Sequence, residues 1–164
     1  MSSDIRVGDA YTVNELVEHL ASWLEAEVWP GYTGYRDACP EPSVDRAEDR
    51  CPFCIVEASR GSYGVDRGSP AQSSATADIT IFLQVRTSKA DGTDYLWAVR
   101  TLRDCIDALG QNLYKNSNGV IFGALPGNLS WEIPDPQPRP VWQARIDITF
   151  ELRSATHDNG GFLI

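Results

Sequence analysis

The chain has 164 residues, 42% of them hydrophobic, and carries 14 Lys and Arg against 23 Asp and Glu, a formal charge of −9. A single domain of this size buries enough surface to hold a core without a metal or disulfide staple. No apolar run approaches the roughly 18 residues of a membrane span, and the acid excess opposes nucleic-acid binding, which clustered Lys and Arg drive by counterion release.

The first nine residues lack a charged segment followed by an apolar one, so no signal peptide is expected and folding in the cytoplasm is. Next, Thr12 can cap a helix, Glu15 can close a capping box with it, and Tyr11 can staple onto Leu16. Val13, Leu16, Val17, Leu20, Leu24 and Val28 then recur at helical spacing as one apolar stripe, and Pro30 with Gly31 marks the stop. Residues 29–50 mix Pro, Gly, aromatic and charged residues without a period. They read as a long loop, which in a small domain usually has a task such as reaching a neighbour. Residues 52–58 form a short apolar run, most simply a core strand. Residues 59–75, rich in Gly and Ser, read as a flexible loop or an extended hairpin tip.

Residues 77–87 carry the clearest pattern. Ile79, Ile81, Leu83 and Val85 alternate with Thr80, Phe82, Gln84 and Arg86, the signature of a half-buried strand, and no Pro or Gly demotes it to an edge. After a turn at 89–92, Thr93 or Asp94 can cap a second helix whose stripe is Leu96, Val99, Leu102, Ile106 and Leu109. Gly110 stands where a left-handed C-terminal cap belongs. Residues 119–122 and 129–133 are short strand candidates separated by a turn at 124–128. The Pro-rich residues 134–140 favour an extended path. A last strand over 141–153 puts Trp142, Ala144, Ile146, Ile148, Phe150 and Leu152 on one face, and residues from about 154 to 164 form a flexible tail. The expected fold is one α+β domain over 1–164, a single layer of mostly antiparallel sheet with two amphipathic helices packed on one face.

Chemistry-bearing residues are few. Nucleophilic catalysis usually needs a base, and only His19 and His157 exist, neither in a triad-like setting. The glycines of 119–127 lack the Lys and Ser or Thr of a phosphate-binding loop. Among four cysteines, Cys39, Cys51, Cys54 and Cys105, the pair Cys51-Pro52-Phe53-Cys54 has metal or redox spacing. Zinc would need Cys39, Cys51, Cys54 and a fourth ligand. The simpler reading is that these cysteines act as small hydrophobes filling a core. No catalytic residue and no cofactor is expected.

The order of elements gives a further lead. It runs 13–28, then Pro52-Phe53-Cys54-Ile55-Val56, then 79–86 and 96–109. Trp131-Glu132-Ile133-Pro134 and Pro140-Val141-Trp142-Gln143-Ala144-Arg145-Ile146 follow. This order, over most of 12–153, resembles the tail terminators, the tail-completion proteins of long non-contractile-tailed bacteriophages. The insert at 31–50 with its cysteines departs from their compact layout. The resemblance implies a non-enzymatic virion protein, assembled in the host cytoplasm as a hexameric ring on the head-proximal end of the tail tube. It would stop tube growth and dock to the head–tail connector protein, with the tail tube protein and other copies of itself as partners. DNA would pass through the lumen without specific binding, and no membrane is involved. Loops 29–50, 59–75 and 110–128 would then serve as contacts. Tyr63, Arg67, Arg86 and Arg139 are the interface candidates, because exposed Tyr and Arg favour interfaces. The alternatives are another head–tail connector or tail-tube subunit, or a small zinc-binding or thiol protein using Cys51 and Cys54.

Overall fold

The computed structural model describes residues 12–37, 52–65, 73–87, 95–116, 124–134 and 141–152. The first helix, α1 (Val13–Trp23), begins with the capping box read from the sequence. Thr12 Oγ1 accepts from the Glu15 N–H at 3.1 Å and Glu15 Oε1 accepts from the Thr12 N–H at 2.9 Å. Its last turn widens to π geometry over Leu24–Val28, closed by the Trp29 N–H on the Leu24 carbonyl at 2.7 Å. Gly31, at φ +94°, then turns the chain into β1 (Thr33–Arg36). The expectation of an unbroken loop over 29–50 is therefore corrected at β1; residues 38–50 lie outside the described part.

Strands β2 (Phe53–Val65) and β3 (Ser73–Arg86) make one long antiparallel hairpin. Of the two readings of 59–75, a flexible loop or an extended hairpin tip, the described residues 59–65 and 73–75 bear out the second, since they lie on the strands of this hairpin. Ser, Gly and Ala have weak strand propensity, yet the backbone of 60–65 pairs residue by residue with 73–78 of β3, and pairing outweighs propensity. A bulge between Ala58 and Arg60 absorbs the irregularity.

The second helix, α2 (Tyr95–Gln111), continues as another π turn over Asn112–Asn116. Two details differ from the sequence reading. Leu96 is 56% exposed, and Ala98 takes its place in the buried stripe with Val99, Leu102, Ile106, Leu109 and Leu113. Gly110 lies inside the helix rather than at a left-handed cap, because the π turn carries the helix onward so that Leu113 reaches the core. The proposed caps Thr93 and Asp94 fall outside the described residues.

Strand β4 (Ala124–Glu132) pairs with β5 (Val141–Leu152) across a bulge between Pro126 and Leu129. The segment 124–128, read as a turn, is the first half of this strand. Turn-forming Pro and Gly are accommodated there because β4 is an edge strand and the bulge takes up their geometry. The candidate strand at 119–122 lies outside the described residues.

The strands form one sheet in the order β1-β2-β3-β5-β4, parallel between β1 and β2 and antiparallel elsewhere. The α+β class and single mostly antiparallel layer are as expected. Along β3 and β5, Ile81 faces Ile146, Ile79 faces Ile148 and Val85 faces Trp142. All are buried with Leu16, Leu20, Leu24, Leu102 and Leu109 in one core between the sheet and both helices.

Two glycine substitutions test this arrangement. A Cβ on Gly61 would stand 2.5 Å from the Thr76 carbonyl oxygen, so Gly61→Ala should destabilise the hairpin by about 1–3 kcal/mol. A Cβ on Gly110 meets nothing within 4 Å, and Gly110→Ala should stabilise by roughly 0.5–1 kcal/mol as helix propensity dictates. Denaturant unfolding measures both, and a loss at position 110 would restore the left-handed cap.

Candidate functional site

The two helices do not cover the sheet evenly. Helix α1 contacts β1 and β2, and α2 contacts β3 and β5, which leaves β4 beyond them. The result is an open cleft of about 550 Å³ between the C-terminal half of α2 and β4. Ile106 and Leu129 form part of its lining, Tyr114 and Trp131 flank it, and Asp107 is the charged side chain lining it.

Trp131 sits opposite Ile146 on the helix side of the sheet, yet is 48% exposed, with no helix reaching over it among the described residues. Tyr114 is carried into the cleft by the π turn, and its hydroxyl donates to the Gly127 carbonyl in the β4 bulge. Burial raises the Tyr114 pKa above the ordinary value of 10.0, so the phenol stays protonated as that donor. An aromatic pair, an apolar floor and one carboxylate can hold an apolar side chain beside a cation.

The sheet face away from the helices is built differently. Cross-strand polar pairs run along it: Thr80 Oγ1 to Asp147 at 2.8 Å, Thr149 Oγ1 to Asp78 at 2.7 Å and Gln84 Nε2 to Gln143 Oε1 at 2.6 Å. Arg145 adds an ion pair with Asp147 at 3.1 Å. Toward β1 the face becomes apolar, where Phe53 is buried against the edge of Tyr35, with ring centroids 5.5 Å apart, and Ile55 pairs with Phe82.

The sequence-derived site residues are not brought together among the described residues. Arg86 ends β3 and is exposed. Tyr63 lies on β2 opposite Ala75, its side chain outside the described part; Arg67 and Arg139 lie outside it entirely. Cys39 and Cys51 are also outside, whereas Cys54 is in the core under α1. Removal from water, with a further push from the Glu25 carboxylate and a smaller opposing pull from Arg36, raises the Cys54 thiol to about 12. Such a group is a poor thiolate ligand or nucleophile. Cys105 on α2 is half-buried near the Tyr32 hydroxyl at 3.5 Å, and burial raises its thiol as well. Among the described residues no group of three or more His, Cys, Asp or Glu could hold a metal ion, and no helix is long and apolar enough to cross a membrane.

Sequence reasoning missed the cleft. The alternation of Leu129, Trp131 and Ile133 carried a signal for one face of β4, but nothing along the chain says where α2 stops covering the sheet. Neither the models of known protein families nor the curated proteins match this chain.

Cys54 supplies a test. Its thiol lies above its ordinary value of 9.0 in the folded state, so it favours folding fully below pH 9.0 and this contribution falls away as pH rises toward about 12. At pH 8 a thiol reagent should leave Cys54 unmodified in the native protein and label it only on unfolding. In Cys54→Ala the part of the alkaline stability loss between these pH values that comes from this thiol should disappear. Labelling of native Cys54 as fast as an exposed thiol would contradict the buried assignment.

Proposed function

We propose that this chain is a structural assembly protein of the tail-terminator type. Copies close into a ring, hexameric as the resemblance implies, that caps the head-proximal end of a phage tail tube and offers a docking surface to the head–tail connector protein. The observation that carries the reading is the one-sided sheet, ordered β1-β2-β3-β5-β4, with α1 and α2 on one face. It arranges the elements the resemblance rests on into a rigid slab, leaving the polar face and the β4 flank for contacts. A ring needs a heterologous contact whose rotation closes, and a slab with two unlike flanks suits that requirement. The net charge of −9 favours passage of DNA through a lumen without adhesion. The thiol-protein alternative loses support from the buried, protonated Cys54.

Electron microscopy of the purified protein, alone and mixed with tail tubes lacking their cap, tests the proposal. Closed rings seated at one end of each tube are the expected result. Open-ended tubes built from this protein alone would make it a tube subunit, and tubes left bare at both ends would remove the capping role.

A further inference from the structure

The two edges of the sheet are finished differently. In β1, the Thr33 N–H donates to the Pro52 carbonyl at 3.3 Å and the Asp37 N–H to the Val56 carbonyl at 2.7 Å. The intervening Gly34 therefore turns its peptide groups outward. Both are occupied: the Gly34 N–H donates to Glu25 Oε2 at 2.8 Å and its carbonyl accepts from Arg36 Nη1 at 2.6 Å. Arg36 is held in turn by Glu18 at 3.0 Å and Ser22 at 2.6 Å. An incoming strand finds the Gly34 groups of this edge already taken by charged side chains, one of the ways proteins block edge pairing.

The first half of β4 is protected too. Pro126 has no N–H, the bulge interrupts the ladder, and the Gly127 carbonyl accepts from Tyr114. Past the bulge the protection ends. Residues 129–132 keep regular pairing with β5 on one side, and no described strand lies on the other. Ser130, Trp131 and Glu132 are exposed. Backbone groups on that side ask for a strand, and the cleft beside them offers a seat for its side chains.

We propose that residues 129–132 and the adjoining cleft form a docking site for an extended, basic segment of a partner protein, which adds to the sheet as a sixth strand. An apolar side chain of the segment packs against Trp131 and Ile106, and a Lys or Arg two positions away pairs with Asp107. Charge sets the sign of the partner: Asp107 is the charged side chain lining the cleft, and the chain as a whole is at −9. A second copy is a poor occupant, because its β1 edge is blocked at Gly34 and its β4 would bring like charge to like. The site is independent of ring closure.

The test uses the full chain and a synthetic peptide, Thr-Lys-Thr-Lys-Thr-Phe-Thr-Lys-Thr-Lys, which places Phe and every Lys on one face of a strand. Calorimetry and amide hydrogen exchange are the readouts. Saturable binding should slow exchange in residues 129–132 by about ten-fold or more. Trp131→Ala should weaken binding about ten-fold. Asp107→Asn should weaken it at low salt and make no difference at high salt. A peptide N-methylated at alternate residues should not bind. The proposal is overturned by absence of binding at about 1 mM peptide. It is equally overturned by equal binding of the N-methylated peptide or of one with Glu for Lys, or by protection confined elsewhere. Self-association abolished by Trp131→Ala would name a second copy as the occupant and overturn it too. Should Trp131→Ala fail to fold, Asp107→Asn on the exposed helix surface decides alone. A protein that binds the peptide yet forms no rings loses the capping function and keeps this site.

Discussion

The pairing of β3 with β5 is the contact on which the molecule depends. It runs without interruption from Ala75 opposite Leu152 to Arg86 opposite Val141. Because side chains alternate, this register puts Ile79, Ile81, Leu83 and Val85 on the same face as Trp142, Ala144, Ile146, Ile148 and Phe150. A slip of one residue would turn one strand's apolar set to the polar side, so burial enforces the register. Each fully buried Leu, Ile or Val contributes on the order of 1.5–3 kcal/mol, which makes this face the main source of stability.

A sheet with one apolar face needs a cover, and the chain supplies two helices of matching stripe. They serve it unequally. Over β1 and β2, α1 is tied down by the Arg36 network, and the Trp29 indole bridges to the Cys105 carbonyl of α2 at 2.9 Å. At the far flank the cover runs out, and Trp131 and Tyr114 stand half-exposed. The π turns that end both helices belong to the same economy of shape, since each widens the last turn where an aromatic, Trp29 or Tyr114, follows or sits within it.

The sheet face away from the helices is tied by cross-strand polar pairs. Thr80 bonds Asp147, Thr149 bonds Asp78 and Gln84 Nε2 bonds Gln143 across β3 and β5, while Gln84 Oε1 is buried without a partner among the described residues. Burial raises the thiols of Cys54 and Cys105, the described cysteines, above their ordinary value.

Local signals carried much of this fold. The Thr12–Glu15 box, the stripe through Leu16 and Leu20, and the alternation along β3 and β5 each depend on neighbours a few residues apart, and those the sequence states directly. Where a long-range partner overrules composition, it could not. The Gly- and Ser-rich stretch after Ala58 is strand because β3 lies beside it, and Gly110 is helical because Leu113 beyond it reaches the core. The cleft at Trp131 and the sealing of Gly34 by Glu25 and Arg36 belong to the same class. Periodicity along the chain set where each helix and strand would turn an apolar face, apart from details such as Leu96 and Ala98. Where the helices end their cover, and how each sheet edge is finished, came from packing, because both follow from the spacing of elements far apart in the chain.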